Sequence, residues 1–405
     1  MPTALIICPA QRDRLNLADE RILSRYGLQL AGPLVTSPGF DPGKFADTIV
    51  ANAPLVQGIL GSGDASGHLA TVIANRLGLP GASASAFLRC HDKLTCRRIQ
   101  ADTVPEATPR FAAVDPDNPP ARAPLPYPFF VKPVSAHLSQ LAYTVRNDDE
   151  FADVLTEARA RLEAITAYDA ALTGRSFRGL IAEELLSGVL VTFEGYMHHG
   201  TMTPIGITDA VMHPNGISFL RFEYPTALPE WAVARIHDIA GRLMPALDFD
   251  DSVFNIEFFV SPAGDVRIVE VNGRMASQFA PLVKAVHGVS TYELQLALVT
   301  GGVPKLPPAR TDLVASSFVL RTYTDAIVRS VPDPTAVTRR FGHAHVEVLV
   351  RPGQRLSEND DDTASHRLAV VALAAPDRDA ACRRFDEAAA LLPFEFEPVA
   401  ASVRG

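Results

Sequence analysis

Ala4–Cys8 (ALIIC) opens the chain with an unbroken apolar run, the pattern of a strand buried on both faces. Val56–Gly61 (VQGILG) reads as a second such strand. After it, Leu69, Val72, Ile73 and Leu77 recur at helical spacing, with Asp64 or Ser66 as cap and Gly78 and Pro80 as stop. Strand and helix in this rhythm predict a parallel sheet through about Ala86. PFFVKPV starts a new strand, and NDDEFADVLTEARARLEAI predicts an amphipathic helix capped by Asn147. Its inward face is Phe151, Val154, Leu155, Ala158 and Leu162. GLIAEELL (179–186), VTFEGYMHHG, TPIGITDAV and ISFLRFEYP read as further strands, and 229–244 as a helix. SVFNIEFFVSPAGDVRIVEVNGR reads as a hairpin around PAGD, with a helix later near TYELQLALVTGG. Past Asp312, three strand-like runs (LVASSFVLRTY, AHVEVLV, RLAVVALA) and one helix (RDAACRRFDEAAALL) suggest a small α+β domain.

Two proline-rich breaks punctuate this pattern. Residues 115–128 hold six prolines, the composition of a stiff linker, and VPKLPPARTD (303–312) marks a second break. With 405 residues the chain exceeds one ordinary domain. The reading is a multidomain α/β and α+β protein: an N-terminal Rossmann-like parallel-sheet domain over 1–88, a central domain over 89–310, and a C-terminal α+β domain over 311–405.

Composition narrows the function. A net charge of −9 gives no general nucleic-acid footprint, though local basic pockets can hold anionic ligands. Four cysteines without a CxxC pair fit buried thiols in a reducing, cytoplasmic setting. The first ten residues lack a signal-peptide pattern, and no apolar run reaches the ~18–20 residues of a membrane span.

The chemistry concentrates in the hairpin. Pairing Ser261 with Val266 sets Glu257 opposite Glu270 and Asn255 opposite Asn272, with the two carboxylates about 5 Å apart at Cβ. Facing like charges destabilise a sheet unless a cation lies between them. Two carboxylates and an amide oxygen suit Mg²⁺ (or Mn²⁺), which commonly accompanies phosphates. The alternative is a solvated sheet face with Arg267 or Arg274 as salt partners. Very apolar strands (Phe254, Ile256, Phe258, Ile268, Val269, Val271) weigh against a wholly solvated face. Arg274, just past the carboxylates, fits phosphoryl-transfer chemistry. Lys93, early in a predicted helix, and Lys132, ending an apolar strand, are candidate phosphate cations; snorkelling side chains are the alternative. AEELL (182–186) offers a backbone on which an adenine can pair, or an ordinary edge strand. The Gly61–Gly67 loop reads as a tight turn rather than a phosphate cradle. His198 and His199 read as surface residues of a hairpin turn, and ENDDD (358–362) as a solvated acidic loop. Glu223, Arg221 and His287 are candidate substrate contacts, with ordinary structural roles as the alternative.

Taken in series, HDKLTCRRI…VPEATPRF, PFFVKPV, IAEELLSG and FNIEFF…GDVRIVEVNGR resemble the ATP-grasp superfamily, and more narrowly its carboxylate–amine ligases, which act on amino acids among other substrates. The resemblance covers about residues 1–310, and the remainder looks like the closing domain of that group. It implies that Lys93 and Lys132 contact ATP phosphates, that Glu183 or Glu184 with Leu185 and Leu186 hold adenine, and that Glu257, Glu270 and Asn272 bind Mg²⁺. It assigns Arg274 to the transferred phosphoryl group. The implied chemistry converts a carboxylate to an acyl phosphate with ADP release, after which an amine displaces phosphate. A homodimer and small-molecule carboxylate and amine substrates belong to the same implication, with neither nucleic acid nor membrane as partner. Two departures stand out. The stretch after Lys132 (VSAHLSQLAYTV) has no glycine, although Ser139 sits where the family often has serine, and Leu190 stands at the usual ribose-binding Glu position, with Glu194 nearby but needing a strand shift to replace it. A biotin-dependent carboxylase and a nucleotide-binding module without catalysis remain alternative readings.

Overall fold

The computed structural model describes residues 1–52, 54–135, 140–213, 218–342, 344–358 and 365–399. Ser139 and the adjoining 136–138, as well as 359–362 of the acidic stretch, lie outside them. In chain order the first strands are β1 (Thr3–Ile7), β2 (Gly27–Ala31), β3 (Gly58–Leu60), β4 (Phe111–Val114), β5 (Phe129–Pro133), β6 (Tyr143–Val145), β7 (Leu180–Glu184) and β8 (Val189–His198). They are followed by β9 (Thr201–Met212), β10 (Phe219–Tyr224), β11 (Ser252–Val260), β12 (Val266–Asn272) and β13 (Val314–Thr322). The last are β14 (Ala326–Ser330), β15 (His345–Val348), β16 (His366–Ala375) and β17 (Glu395–Pro398). The chain forms two compact units, one of residues 1–205, 228–277 and 292–305, the other of 206–227, 278–291 and 306–405.

The first unit begins with a parallel sheet of order β2-β1-β3. β1 is buried almost throughout, as its unbroken apolar run requires. β2 is an addition to the expected pattern: Leu28 and Leu30 alternate with Gly27 and Gln29, and its edge position leaves it half-exposed, so it carries no strong apolar signal. The helix Asp64–Arg76 packs Leu69 and Ile73 into this domain's core beside Leu5 and Ile7. Gly61 needs its missing side chain, because a Cβ there would lie 2.1 Å from the Ser66 carbonyl oxygen. This is the tight turn expected of that loop.

An antiparallel sheet of order β4-β7-β5-β6 follows. The helix Asp148–Thr173 covers it, with Asn147 accepting from the Glu150 N–H. Phe151, Val154, Leu155, Ala158 and Leu162 are all buried against Phe129, Val131 and Leu180. A third group of strands, β12-β11-β8, completes the unit's sheets. No helix among the described residues is long and apolar enough to cross a membrane.

The second unit has the antiparallel order β9-β10-β13-β16-β15 and a separate ribbon of β14 with β17. The helix Arg378–Ala390 lies on it, with Phe385 stacked on Phe318 at 4.5 Å. The two ribbon strands are short and half-polar, and the sequence pattern does not mark them.

Candidate active site

Strands β8, β11 and β12 build a polar face two rows deep. Glu194, Asn255 and Asn272 stand in register across the three strands, and Thr192, Glu257 and Glu270 form the next row. Opposed residues of a sheet project to the same side, so six polar side chains share one face. The opposition of Glu257 to Glu270 and of Asn255 to Asn272 is as expected. The pairing nearer the turn is not: Val260, rather than Ser261, faces Val266, and a bulge beside Val269 makes up the extra residue. The bulge also resolves the apolar pattern of RIVEVNGR. It lets Ile268 and Val271, three apart, both point into the core, while Arg267, Glu270 and Asn272 face the other way.

The two carboxylates differ in partners. Glu270 pairs with Lys93 Nζ at 3.0 Å, rather than with either nearby arginine. Burial opposes the charge of Glu270, but Lys93 and then Lys132 outweigh it and lower its pKa. Burial also opposes the charge of Lys93, and Glu270 more than offsets it. Glu257 has no hydrogen-bond or ion partner among the described residues. Burial first, and the Glu270 charge second, push its pKa up to about 7. Asn272 Nδ2 donates to Asn255 Oδ1 at 3.1 Å, and Asn255 Nδ2 donates to the Arg274 carbonyl at 2.9 Å. The Asn272 amide is thereby oriented with its oxygen directed away from Asn255. A partly buried carboxylate that forms no ion pair, beside a second carboxylate and an amide oxygen, fits a hard divalent cation.

Lysines and glutamates alternate around a small neighbouring cavity, which Lys93, Arg97, Lys132, Glu183 and Glu270 line. Lys93 is the first helical residue after its Asp92 cap, and its backbone N–H donates to the Val134 carbonyl, which ties it to the end of β5. Lys132, on β5, reaches Glu183 on β7 at 2.8 Å. Glu183 also accepts from Arg97 Nε at 2.5 Å. These two cations overcome burial and hold its pKa down at about 2. Glu183 is therefore committed to cations inside the cavity. Its neighbour Glu184 turns outward to Arg110 Nε at 2.8 Å, and β7 ends there, with Leu185 exposed and Leu186 partly so. Arg97 further donates to the Val269 carbonyl at the bulge, at 2.6 Å, so one guanidinium links β7 to β12.

Arg274 lies just past β12 and binds Asp64 Oδ1 through Nε at 2.5 Å. Burial disfavours its charge, and Asp64 then Glu257 restore it. Asp64 begins a helix, and its sequence signal was that of a cap; the observed cap is Gly63, whose N–H donates to Ser66 Oγ at 3.0 Å. That frees the Asp64 side chain to meet an arginine more than two hundred positions on, which local pattern does not reveal. Glu194 is also drawn in. It is 1% exposed, accepts from the Ala276 N–H at 3.1 Å, and burial pushes its pKa up to about 8. The Ser135 hydroxyl, the last described group before 136–139, donates to buried Asp169 and lies 3.0 Å from His91 Nε2. Asp169 also meets His91 at 2.9 Å, so the start of the glycine-free stretch is anchored to two helices.

Arg221, Glu223 and His287 belong to the second unit and have partners there. Glu223, 4% exposed, accepts from Arg221 Nε at 2.7 Å and from Arg378 Nε at 2.9 Å. His287 Nδ1 lies 2.7 Å from the Pro307 carbonyl and so carries the proton that it donates there. Its Nε2 then accepts from the Tyr224 hydroxyl at 2.6 Å. His198 and His199 do lie at a hairpin turn, but both approach Asp251.

The fold of this chain is that of the ATP-grasp superfamily, and residues 125–281, which match the model of the ATP-grasp domain family, belong to that superfamily. No curated protein sequence matches the chain at a significant level. Among solved structures, an L-amino acid ligase from Bacillus licheniformis is similar with a TM-score of 0.75 and 16% identity, over 98% of this chain and 99% of that one. Phosphoribosylglycinamide synthetase from Anaerococcus prevotii is similar with a TM-score of 0.69 and 13% identity, over 98% of this chain and 100% of that one. A biotin carboxylase from Campylobacter jejuni, solved as a complex with β,γ-ATP, has a TM-score of 0.68 and 14% identity, over 98% of this chain and 92% of that one.

Proposed function

We propose that the protein is an ATP-dependent ligase that joins a carboxylate, an amino acid or a related acid, to an amine, with ADP and phosphate as products. The observation that carries this reading is the partly buried contact Lys93–Glu270 and the buried contact Lys132–Glu183 beside Glu257, which forms no ion pair of its own. Such a face has negative charge ready for a divalent cation and positive charge ready for phosphates.

In this reading Lys93 and Lys132 exchange part of their pairing with Glu270 and Glu183 for ATP phosphate oxygens. Both are short of solvent, so each contact is stronger than on an open surface. The chain segment Glu183–Leu186 takes the adenine through its backbone. Glu257, Glu270 and the Asn272 amide would hold Mg²⁺ or Mn²⁺, which would supply charge neutralisation on the phosphate oxygens. Arg274, held by Asp64, is aimed at the transferred phosphoryl group. A substrate carboxylate oxygen attacks the γ-phosphorus and ADP leaves. The amine then attacks the acyl carbon, loses a proton and expels phosphate. The protein's part is positioning and charge stabilisation, the dominant contributions in phosphoryl transfer.

The test is incubation with ATP, Mg²⁺, hydroxylamine and a panel of amino acids, read for hydroxamate and ADP. Hydroxamate together with ADP is expected. AMP with pyrophosphate refutes the acyl-phosphate route. Phosphate release with bicarbonate and biotin, and with no amino acid, replaces the ligase by a carboxylase, the other chemistry whose fold this chain shares.

A further inference from the structure

The turn between β8 and β9 carries a second cluster of ligand atoms. His198 closes β8, and His199 and Gly200 form the turn, both with left-handed backbone at φ of 50° and 74°. Adjacent residues in an extended strand point to opposite faces, but this turn swings both imidazoles to one side, with ring centroids 4.1 Å apart. Asp251, immediately before β11, has the same left-handed backbone at φ 48° and meets both of them. Its Oδ1 lies 2.9 Å from His198 Nδ1 and 3.9 Å from His199 Nδ1. Its neighbour Asp250 holds the turn from below by accepting the Gly200 N–H at 2.8 Å.

We propose that His198, His199 and Asp251 form a binding site for a d-block divalent cation of the Zn²⁺ class, separate from the Glu257–Glu270 face. One ligand atom from each residue falls within 4.8 Å of the other two. Ligands about 2.0–2.1 Å from a tetrahedral zinc stand roughly 3.3 Å from one another, so the 2.9 and 3.9 Å separations bracket the bonded geometry. The chemistry of the donors also discriminates. Two imidazole nitrogens and one carboxylate select Zn²⁺, Ni²⁺ or Cu²⁺, whereas oxygen donors alone suit Mg²⁺. Three protein ligands leave a position for water or an exogenous group. Access is open, since the His199 side chain is 79% exposed. Asp251 and Glu257 are six residues apart, about 20 Å along an extended strand, so the two sites do not share ligands.

The site has a structural consequence. Ser252 and Met197 form the first rung of the β8–β11 pairing, and these same strands carry Glu194 and Glu257 further along. A cation bound by His198, His199 and Asp251 clamps that ladder at its end.

The experiment titrates the metal-stripped full-length protein with Co²⁺ and, in parallel, with Zn²⁺. Wild type is expected to bind one equivalent of Co²⁺ with the intense visible absorption of a four-coordinate, nitrogen-ligated ion, and Zn²⁺ is expected to displace it and raise the melting temperature. His199→Ala, at an exposed position, is expected to lose that absorption while keeping the fold by circular dichroism, and to bind at least ~100-fold more weakly, more than the loss of an outer-shell partner costs. Asp251→Asn is expected to behave likewise. Glu257→Gln is expected to retain the band. Equal Zn²⁺ affinity in wild type and His199→Ala overturns the proposal. So does a wild-type Co²⁺ spectrum with only the weak bands of an octahedral oxygen site, or a band lost in Glu257→Gln and kept in His199→Ala.

Discussion

Replacing Glu257 by glutamine keeps the side chain's size and removes its charge. Burial and the nearby Glu270 raise the Glu257 pKa from 4.5 to about 7. A raised carboxyl pKa means that the folded state holds the proton more tightly than the unfolded state does. Glu257 therefore costs nothing below about pH 4.5, its cost grows as pH rises towards 7, and the full cost is present above 7. The gap between 4.5 and about 7 corresponds to about 3 kcal/mol, at roughly 1.4 kcal/mol per pH unit. Without metal, Glu257→Gln should thus be more stable than wild type at pH 8 and nearly equal to it at pH 5. At about 2 °C per kcal/mol for a unit of this size, the difference at pH 8 is roughly 6 °C in melting temperature. Glu194, which titrates near pH 8, is present in both proteins and largely cancels in the difference. The assay is thermal unfolding in EDTA at the two pH values, followed by turnover with Mg²⁺ restored, where the variant should be inactive. If the variant melts at or below wild type at pH 8, or if the difference is the same at both pH values, the fold does not disfavour the Glu257 charge and the metal reading loses its physical basis.

Lys132→Met should destabilise the protein by about 1–3 kcal/mol, a limited loss because Arg97 still pairs with Glu183, and should weaken nucleotide binding at least ~10-fold in a titration. Unchanged affinity would remove Lys132 from the phosphate site. Asp64→Asn removes the only carboxylate in direct contact with Arg274 among the described residues, so turnover should fall with about 1 kcal/mol change in stability, and Asp64→Glu should restore part of the rate. A large stability loss at normal turnover would make the pair structural. Gly61→Ala forces a Cβ to 2.1 Å from the Ser66 carbonyl oxygen, so backbone must shift, at a cost of about 3 kcal/mol or more in urea unfolding. A variant as stable as wild type would contradict the close approach at that turn.

Much of this was legible in the chain because the signals are local. The apolar run of β1, the Asn147 cap with its five inward residues, and the opposition of Glu257 to Glu270 each follow from periodicity within about twenty residues. Lys132 stands out as an isolated charge ending an apolar strand, and Lys93 by its place early in a helix. What escaped depends on contacts distant in sequence. Asp64 looks like an ordinary cap until Arg274 is placed beside it, and Arg97 looks like a surface helix residue until β7 and the bulge meet it. Glu194 is visible as a carboxylate near Leu190, but its place in the row with Asn255 and Asn272 comes from strand register, which no single strand encodes. β2 and the β14–β17 ribbon were missed for a different reason: edge strands bury too little to write a strong alternation into their sequence.

The bulge beside Val269 has one more effect, on how the hairpin can vary in length. It stands between the tip of the hairpin and the row that carries Glu257 and Glu270. A residue gained or lost in the Ser261–Asp265 turn changes the pairing of Val266 to Ile268, and the irregularity can grow or vanish to take up the difference. Without such slack, every one-residue change at the tip would turn Glu270 and Asn272 to the wrong side of the sheet. Drift in loop length is thus uncoupled from the geometry of the two carboxylates, and the tip is the place where a tag or a spacer residue can be inserted at least cost to them.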